Sequence, residues 1–514
     1  MNSYQLWCLI YCSFGAFFYG YDSGLTTSII GYPEFIKYFD FNSSTLGALG
    51  SVYYAGIAIG SLTIAYLADK FGRKRVVHIA CAISVTGAAL QTGAVNLPML
   101  LVGRVIGGIA CGMIWSLCPL YLSELSPPHL RGSVGVLYSI VLNIAYALSE
   151  WMGLGFSYIN GGQLKWRIFL GLQILIAVLM YAGSLTVCKS PRWLVAQKRD
   201  EEALQILGKL HQGETRALED EAEHNSVPFF RREFNQIQAQ IRFEQENPQI
   251  GIVAVLKRPS YRRRISLIIF FFIFQQLTAV NGLQNYQVIL YKTLGLTGKT
   301  ILIMVGVWGT TSLLMAIPCI YFLDHWGRRR NFFISMSIVL VSTVMLIVFW
   351  ARYEASNNTD YVLGKLALWS MFMWLVGYGW VMNSFGYTYT PEILPMEIRA
   401  TGMALGYASK TITTLWVVQV TPIAISNISW RFFIIFVTCD AIFLVVFYFF
   451  FPETANVPLE EVAALFGDNV VVRLEEAEKL PGQLERDIDT SNDTEKPKPS
   501  QIQVAAAEHV EVHS

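Results

Sequence analysis

Blocks of about twenty mostly apolar residues recur along the chain and limit its fold more than any other feature. The stretches 45–67, 98–120, 167–187 and 265–290 are four examples. A helix of that length crosses the hydrocarbon core of a bilayer, which is about 30 Å thick. Helices are the expected form because each satisfies its own backbone hydrogen bonds inside lipid. Charged residues make up only 15% of the chain, against about 25% in soluble domains, which argues against a soluble protein.

Twelve such blocks are present, so we predict an all-α polytopic membrane protein with twelve transmembrane helices. The predicted spans are 6–28, 45–67, 77–95, 98–120, 133–157, 167–187, 265–290, 300–322, 332–351, 364–390, 400–423 and 431–451. A polar segment between spans six and seven alternates charged and apolar residues at helical spacing, which predicts short amphipathic helices. The tail from Gly467 is acidic and rich in Pro, Ser and Thr, which predicts disorder.

Three short motifs occur twice, about 255 to 270 residues apart. Asp69-x-x-Gly72-Arg73 returns as Asp324-x-x-Gly327-Arg328, Glu124-x-x-Pro127-x-x-x-Arg131 as Glu392-x-x-Pro395-x-x-x-Arg399, and Trp166-Arg167 as Trp430-Arg431. Two such halves are typical of transporters that rock around a central site. We expect an N-terminal six-helix half (1–188), a cytoplasmic linker (189–264), a C-terminal six-helix half (265–452) and a cytoplasmic tail (453–514).

Positive charge predicts the orientation. Residues 69–75 carry four Lys or Arg within a short loop and residues 324–330 carry three, and such loops stay in the cytoplasm. Both termini are therefore expected in the cytoplasm. Glycosylation sequences at Asn42, Asn357 and Asn427 fall on the opposite side, which agrees with this orientation.

Several function classes have no support in the sequence. The net charge of +1 gives no indication of a nucleic-acid partner, and the eight Cys residues show no paired metal-ligand spacing. The polar segments hold no Gly-rich phosphate loop and no nucleophile–base set, and they are too short for a catalytic domain. We therefore expect no enzyme activity, no metal and no cofactor.

The motifs as an ordered set resemble the sugar porter family of the major facilitator superfamily, in its fungal form. The resemblance extends to about Phe466. Besides the repeats, it is carried by Gly20-Tyr21-Asp22, Gly103-Arg104-x-x-Gly107, Pro119-x-Tyr121, Ser190-Pro191-Arg192-Trp193-Leu194, Gln275-Gln276-Leu277-Thr278, Asn281 and Pro452-Glu453-Thr454. The resemblance implies the major facilitator fold and alternating-access transport of a sugar or polyol. It also implies a monomer in the lipid bilayer, most simply the plasma membrane.

Asp22 and Arg104 lie inside spans one and four of the same half. A lone carboxylate is costly in hydrocarbon, so we expect the two to pair. The resemblance implies that Asp22 couples transport to protons, because proton-coupled relatives carry an acid here and many uniporters carry an amide. The alternative is a static ion pair that only braces the bundle.

Three amides on span seven, Gln275, Gln276 and Asn281, are predicted to bind the substrate. On a continuous helix Gln275 and Asn281 fall about 120° apart, and amides both donate to and accept from sugar hydroxyls. The resemblance implies the same role, and places Tyr387 where the family usually has a sugar-facing Trp. The alternative for the amides is bonding between packed helices.

Some positions around this site depart from the family. Ser139 replaces a Gln, Asn285 replaces a Tyr, and Lys410-Thr411 replaces Asn-Trp, which leaves the substrate open to disaccharides, polyols and sugar acids. Lys410 and Asp440 lie at similar depths in spans eleven and twelve. We predict that they pair, or that Lys410 contacts an anionic substrate. Glu150, near the outer end of span five, is expected at a water-filled mouth rather than at a proton site.

Charges at the predicted cytoplasmic end form a candidate gate, whose ion pairs across the boundary between the halves close in the outward-facing state and break in the inward-facing one. Simple topology marking is the alternative reading. These cytoplasmic gating charges are Asp69, Arg73, Glu124, Arg131, Arg192, Asp324, Arg328, Glu392, Arg399 and Glu453. The sequence as a whole predicts a proton–sugar symporter, with an uncoupled facilitator or a non-transporting sugar sensor as alternatives.

Overall fold

The computed structural model describes the backbone of residues 3–126, 131–210, 229–246, 258–394 and 396–454. Side chains are described in these ranges except at 65, 131–136, 229, 232–233, 240, 243–246, 319–321, 323–325, 384, 387–388, 391, 396–397 and 400. The predicted disordered tail from Gly467 lies outside the described residues.

Helices account for nearly all of the described chain. The first half contains α1 (Ser3–Ile29), α2 (Pro33–Tyr38), α3 (Ser43–Phe71), α4 (Arg73–Thr92), α5 (Leu97–Leu125), α6 (Arg131–Phe156) and α7 (Leu164–Thr186). The segment between the halves contains α8 (Pro191–Ala196), α9 (Asp200–Leu210) and α10 (Phe229–Glu246). The second half contains α11 (Pro259–Gln276), α12 (Val280–Thr293), α13 (Thr300–His325), α14 (Arg328–Ala355), α15 (Tyr361–Gly377), a π-helical segment (Tyr378–Met382), α16 (Asn383–Glu392), α17 (Met396–Ile428), a 3₁₀ turn (Ser429–Arg431) and α18 (Phe432–Phe450).

The predicted fold of twelve membrane helices in two halves is confirmed. By length and hydropathy, eight stretches of the described residues are long and apolar enough to span a membrane, and one of them, Thr401–Phe450, covers most of α17 and all of α18. The bundle helices α1, α4 and α6, which are rich in small and polar residues, are not among the eight. The limits of the halves, linker and tail stay predictions.

The sequence repeat is matched by a repeat in backbone geometry. Gly72 joins α3 to α4 with φ 81° and ψ 158°, and Gly327 joins α13 to α14 with φ 79° and ψ 160°. Positive φ favours glycine because a Cβ would clash with the backbone. A Cβ would also lie 3.0 Å from the Trp193 ring at Gly72 and 3.0 Å from Glu453 Oε2 at Gly327. These two turns mark what we call the basic end of the bundle.

The two halves are packed by different means. In the first half, α3 and α5 approach on glycines: a Cβ would lie 2.4 Å from Val105 O at Gly56, and 2.2 Å from Ile57 O at Gly112. Small residues allow such close backbone contact between membrane helices. In the second half, large rings fill the space, and Phe332 on α14 stacks on Phe447 of α18 with centroids 3.5 Å apart.

The halves are joined at the end of the bundle away from the two glycine turns, which we call the opposite end. Ser51 on α3 donates to Gln419 Oε1 on α17 at 2.6 Å, and Tyr286 on α12 donates to Leu46 O on α3 at 3.4 Å. Trp151 Nε1 on α6 donates to Thr310 Oγ1 on α13 at 2.9 Å. The structure is therefore closed at the opposite end.

Helices of the segment between the halves dock against the first half at the basic end. Trp193 Nε1 on α8 donates to Asp69 O at 2.9 Å, next to the Gly72 turn. Lys189 forms an ion pair with Glu202 of α9 at 2.8 Å. On α9, Ala203, Ile206, Leu207 and Leu210 are buried while Glu201 of the acidic first turn is exposed, which is the predicted amphipathic pattern.

Candidate functional site

Span seven is broken at the predicted substrate site. Helix α11 ends at Gln276 and α12 begins at Val280, and Ala279 between them takes the left-handed conformation with φ 69°. The expectation of one continuous helix is wrong here, because a residue with positive φ cannot continue a right-handed helix. The break, and not helical periodicity, brings Gln276 and Asn281 side by side.

Buried amides and hydroxyls form a network around the break. Asn281 Nδ2 donates to Gln276 Oε1 at 2.5 Å, and Thr414 of α17 donates to the same oxygen at 3.1 Å. Tyr54 of α3 donates to Asn281 Oδ1 at 3.3 Å, and Asn285 Nδ2 donates to Asn281 O at 3.0 Å. Gln276, Asn281 and Asn285 therefore lie together as a polar patch at the centre of the bundle, with Tyr54 reaching it from the other half.

Gln275 faces away from this network. Its Nε2 donates to Met382 O at 2.8 Å, at the last residue of the π-helical segment in span ten. Its Oε1 is buried and has no hydrogen-bond partner within the described part of the chain. π-helical turns often occur at functional sites, and this one presents a carbonyl to Gln275. The result is a buried acceptor oxygen available to a hydroxyl donor.

Of the positions that depart from the family, Asn285 belongs to this network, while Ser139 and Lys410 lie outside it. Ser139 is half-buried on α6, and its carbonyl accepts from Asn143 Nδ2 at 2.9 Å. Lys410 is half-buried on α17, with Nζ 5.9 Å from the centre of the Phe272 ring. The side chain of Tyr387 lies outside the described residues, so its role stays a prediction.

The predicted Lys410–Asp440 ion pair is wrong for this conformation. Asp440 is buried, and both of its carboxylate oxygens lack a hydrogen-bond partner in the described part of the structure. On α18, Phe443 and Phe447 share its helical face, and these rings pack on Phe332 of α14. Equal depth in the membrane does not make two side chains meet: Asp440 shares its face of α18 with rings that pack on α14, while Lys410 lies on α17.

The predicted Asp22–Arg104 pair is present and buried. Arg104 Nη1 donates to Asp22 Oδ1 at 3.0 Å, and Arg104 Nη2 donates to Thr26 Oγ1 at 2.6 Å. The guanidinium lies 4.2 Å from the ring centre of Tyr53, within the range of a cation–π contact. Nothing in the sequence marks Thr26 and Tyr53 as partners of the ion pair, since hydroxyl and ring contacts depend on helix rotation.

Two neighbours on α3 connect the ion pair to the amide network. Tyr53 stacks on Arg104, and Tyr54 bonds to Asn281. Their ring centroids are 5.9 Å apart. A change at the ion pair therefore has a direct route of contacts to the amides of the other half.

Glu150 is fully buried, so its expected place at a water-filled mouth is wrong. Gln287 Nε2 of α12 donates to Glu150 Oε1 at 2.8 Å. The residue is near the end of its helix, but α12 and α13 of the other half cover it. Position along a span does not reveal which part of a helix face the second half covers.

The described gating charges pair within each half. Arg73 donates to both Glu124 oxygens, the shortest contact being 2.7 Å, and to Asp69 at 3.4 Å. Arg328 pairs with Glu392 at 3.1 Å. These contacts repeat one motif in both halves.

The remaining gating charges take different positions. Glu453 accepts from the backbone N–H groups of Arg328 and Arg329 at 2.9 and 2.8 Å, at the start of α14, where a negative charge is favourable. Arg399 donates to Leu394 O, and Arg192 is exposed on α8. The side chains of Arg131 and Asp324 lie outside the described residues.

Comparison with known proteins identifies the family. A family model described as "Sugar (and other) transporter" matches residues 7–466. The chain belongs to this family. It is therefore a multi-pass membrane transporter of the major facilitator type.

Curated relatives of this transporter family are similar over most of their length. The MFS-type transporter criB of Aspergillus cristatus is 27% identical over 471 residues, covering 91% of this chain and 95% of that protein. The high-affinity glucose transporter of Kluyveromyces lactis is 28% identical over 479 residues, covering 90% and 84%.

Solved structures confirm the fold. The inward open conformation of the xylose transporter XylE from E. coli matches with a TM-score of 0.71 at 20% identity, over 90% of this chain and all of that one (100%). XylE bound to 6-bromo-6-deoxy-D-glucose matches with a TM-score of 0.70 at 21% identity.

Proposed function

We propose that the protein carries a sugar or related polyhydroxylated solute across the plasma membrane by alternating access, in symport with protons. The observation that carries this proposal is the buried network of Gln276, Asn281 and Asn285 beside the break in span seven. Such a network offers donors and acceptors in one enclosed place. Among the relatives, one is named a glucose transporter and one solved structure is a xylose transporter.

The substrate would replace contacts that the network now makes with itself. Asn281 and Thr414 both donate to Gln276 Oε1, and a sugar hydroxyl inserted there gains the same partners. Gln275 Oε1 has no hydrogen-bond partner among the described residues, but it faces away from this network, so its contact with the substrate stays a prediction. Lys410 stands at the edge of this region and would favour a solute with a carboxylate, which keeps sugar acids within the proposed class.

Proton coupling is proposed from the contact route through α3. When Asp22 takes a proton, it no longer holds Arg104 by charge, and the guanidinium is free to move from Asp22 and Tyr53. Tyr54 follows on the same helix turn and bonds to Asn281. Protonation at one site and substrate contact at the other are thereby linked through one helix segment, as symport requires.

The described contacts support an inward-facing state. The halves are hydrogen-bonded at the opposite end, and the described gating pairs at the basic end lie within one half each. We propose that the basic end faces the cytoplasm together with both termini, as the positive charge of its loops predicts. We further propose that a single chain is the working unit.

Uptake by intact cells tests this proposal. A panel of radiolabelled sugars, polyols and sugar acids would be given to transport-deficient yeast expressing the protein, with and without a protonophore. Accumulation above the outside concentration that collapses with the protonophore is the expected result, and it also names the substrate. Uptake that only equilibrates and ignores the protonophore would show a facilitator. No uptake, with the protein shown at the surface, would favour a sensor.

A further inference from the structure

Glu150 lies in the contact that closes the opposite end. Its carboxyl group points from α6 into the second half, where Gly309 of α13 leaves room for it: a Cβ there would lie 2.3 Å from Glu150 Oε2. One turn earlier, Gly306 receives the Trp151 ring in the same way, at 2.7 Å. The two glycines of α13 thus receive two neighbouring side chains of α6, and this contact must separate whenever the opposite end opens.

The carboxyl group has little to stabilise a negative charge. Oε1 accepts from Gln287 Nε2 at 2.8 Å, and Gln287 Oε1 is held in turn by the Tyr291 hydroxyl at 3.0 Å. Oε2 has no hydrogen-bond partner within the described residues. A buried carboxylate among neutral groups is unfavourable, because desolvation removes its hydration without supplying a compensating charge.

The groups that face Glu150 are neutral. Tyr146 lies on α6 together with Glu150, and α12 presents Gln287 and Tyr291. Helix α1 packs on this part of α6 through Gly24 and Ser28, and its acid, Asp22, faces Arg104 instead. Helix α13 presents Gly306, Gly309 and Thr310. The described surroundings thus hold two tyrosines and no Lys, Arg or His.

We infer that Glu150 is a second proton-binding site: it takes a proton from the side of the opposite end when the halves close there, and releases it to the same side when they part. In the open state water reaches the carboxyl group, which ionises and favours separation. In the closed state the proton is held with the buried group. Because the proton returns to the side from which it came, it adds nothing to the number of protons transported through Asp22.

This inference rests on the alternating access of the proposed function, but neither on its substrate nor on coupling at Asp22. The test therefore measures opening of the opposite end directly. Val418 of α17 is fully buried where α17 meets α3, and Val418→Cys reports separation of the halves. Val95→Cys, at a position 66% exposed beyond α4, reports the reactivity of an open thiol at each pH.

A membrane-impermeant maleimide would be applied to intact cells at pH 5 and pH 7.5. The quantity compared is the labelling ratio, which is labelling at residue 418 divided by labelling at residue 95. The expected ratio rises at least about threefold with pH in the otherwise unchanged chain, and the rise persists with Asp22→Asn. With Glu150→Gln, a neutral side chain of the same shape, the ratio stays at its low value. An equal rise with Glu150→Gln, or loss of the rise with Asp22→Asn alone, would overturn the inference.

If Glu150→Gln folds poorly, which weak labelling at residue 95 would reveal, a second variant tests the inference. Gln287→Leu keeps the carboxyl group and removes the donor that favours its ionised form, so the labelling midpoint should move to higher pH. An unmoved midpoint would overturn the inference. Labelling requires no substrate, so failure of uptake leaves this result readable, and a flat labelling curve leaves symport through Asp22 standing.

Discussion

Asn281 donates its side-chain amide to Gln276 Oε1 at 2.5 Å across the break between α11 and α12. These two residues are five positions apart, and on an unbroken helix they would project in directions about 140° apart. The left-handed residue Ala279 redirects the chain so that both amides meet. The substrate network thus depends on backbone geometry at a residue that is itself neither polar nor a glycine.

Replacing Ala279 tests this dependence. Ala279→Gly should leave surface expression and uptake near the original level, because glycine adopts positive φ freely. Ala279→Val should lower the free energy of unfolding by about 2 kcal/mol or more, since a β-branched side chain at positive φ is strained. Thermal unfolding in detergent, followed by fluorescence-detected size exclusion, measures the stability of both variants. Equal stability of the two variants would contradict a functional role for the break.

Thr414→Val tests a residue that only the structure assigns to the network. The change keeps the side-chain shape and removes the hydroxyl that donates to Gln276 Oε1 at 3.1 Å. Loss of one neutral hydrogen bond of about 1 kcal/mol should raise KM for uptake by about 3- to 10-fold. Thr413→Val is the matched control, since its hydroxyl bonds only to Ser409 O in the described structure. Similar KM values for both variants would remove Thr414 from the substrate site.

Asp22→Asn should separate transport from coupling. The amide keeps a hydrogen-bonding group beside Arg104 and Thr26 but takes up no proton, so accumulation against a gradient should fall at least about tenfold. Exchange of labelled for unlabelled substrate across the membrane should persist, because it needs no net proton movement. Asp40→Asn, an exposed acid at the opposite end, should change neither. Full accumulation by Asp22→Asn would support the static-pair alternative.

The ion pair of Glu34 and Lys165 makes the stability of the fold depend on pH. Lys165 donates to Glu34 at 2.7 Å, and this hydrogen bond lowers the pKa of the Glu34 carboxyl below its ordinary value. A lowered pKa stabilises the fold above the ordinary carboxyl range, and the contribution disappears as pH falls through the lowered value. Because the Glu34 side chain is 45% exposed, Glu34→Gln should cost less than about 1 kcal/mol at pH 7.

Melting temperatures at pH 7 and pH 3 check this expectation. The difference between the original chain and Glu34→Gln should be present at pH 7 and smaller at pH 3, because protonation of Glu34 removes the contribution of the pair as pH falls. Combining Glu34→Gln with Lys165→Met in a double-mutant cycle isolates the pair from other effects. A difference that grows on acidification would contradict the assigned sign.

The sequence predicts what depends on composition and order, and it misses what depends on helix rotation. Twelve spans and two halves follow from hydropathy and the repeated motifs. The Asp22–Arg104 pair follows because two opposite charges buried in one half have few other partners. Lys410 and Asp440 are likewise two opposite charges at similar depth in one half. They do not pair in this structure, since they lie on helix faces with different neighbours.

The rest of the site needed coordinates for similar reasons. Tyr54 and Thr414 are ordinary hydroxyl residues within apolar spans, and nothing local marks them as neighbours of Asn281. Ala279 gives no signal for a helix break, because alanine favours helix. Glu150 looked solvated because a position near a helix end says nothing about coverage by α12 and α13.

The different packing of the two halves has a consequence for how the protein tolerates change. Where α3 and α5 meet on Gly56 and Gly112, any larger residue collides with backbone, so the first half accepts few substitutions along that seam. Around Phe332 and Phe447, one bulky ring can be exchanged for another of similar volume. New substrate preferences are therefore expected to arise by drift in the second half, with the first half preserved as the invariant partner against which it moves.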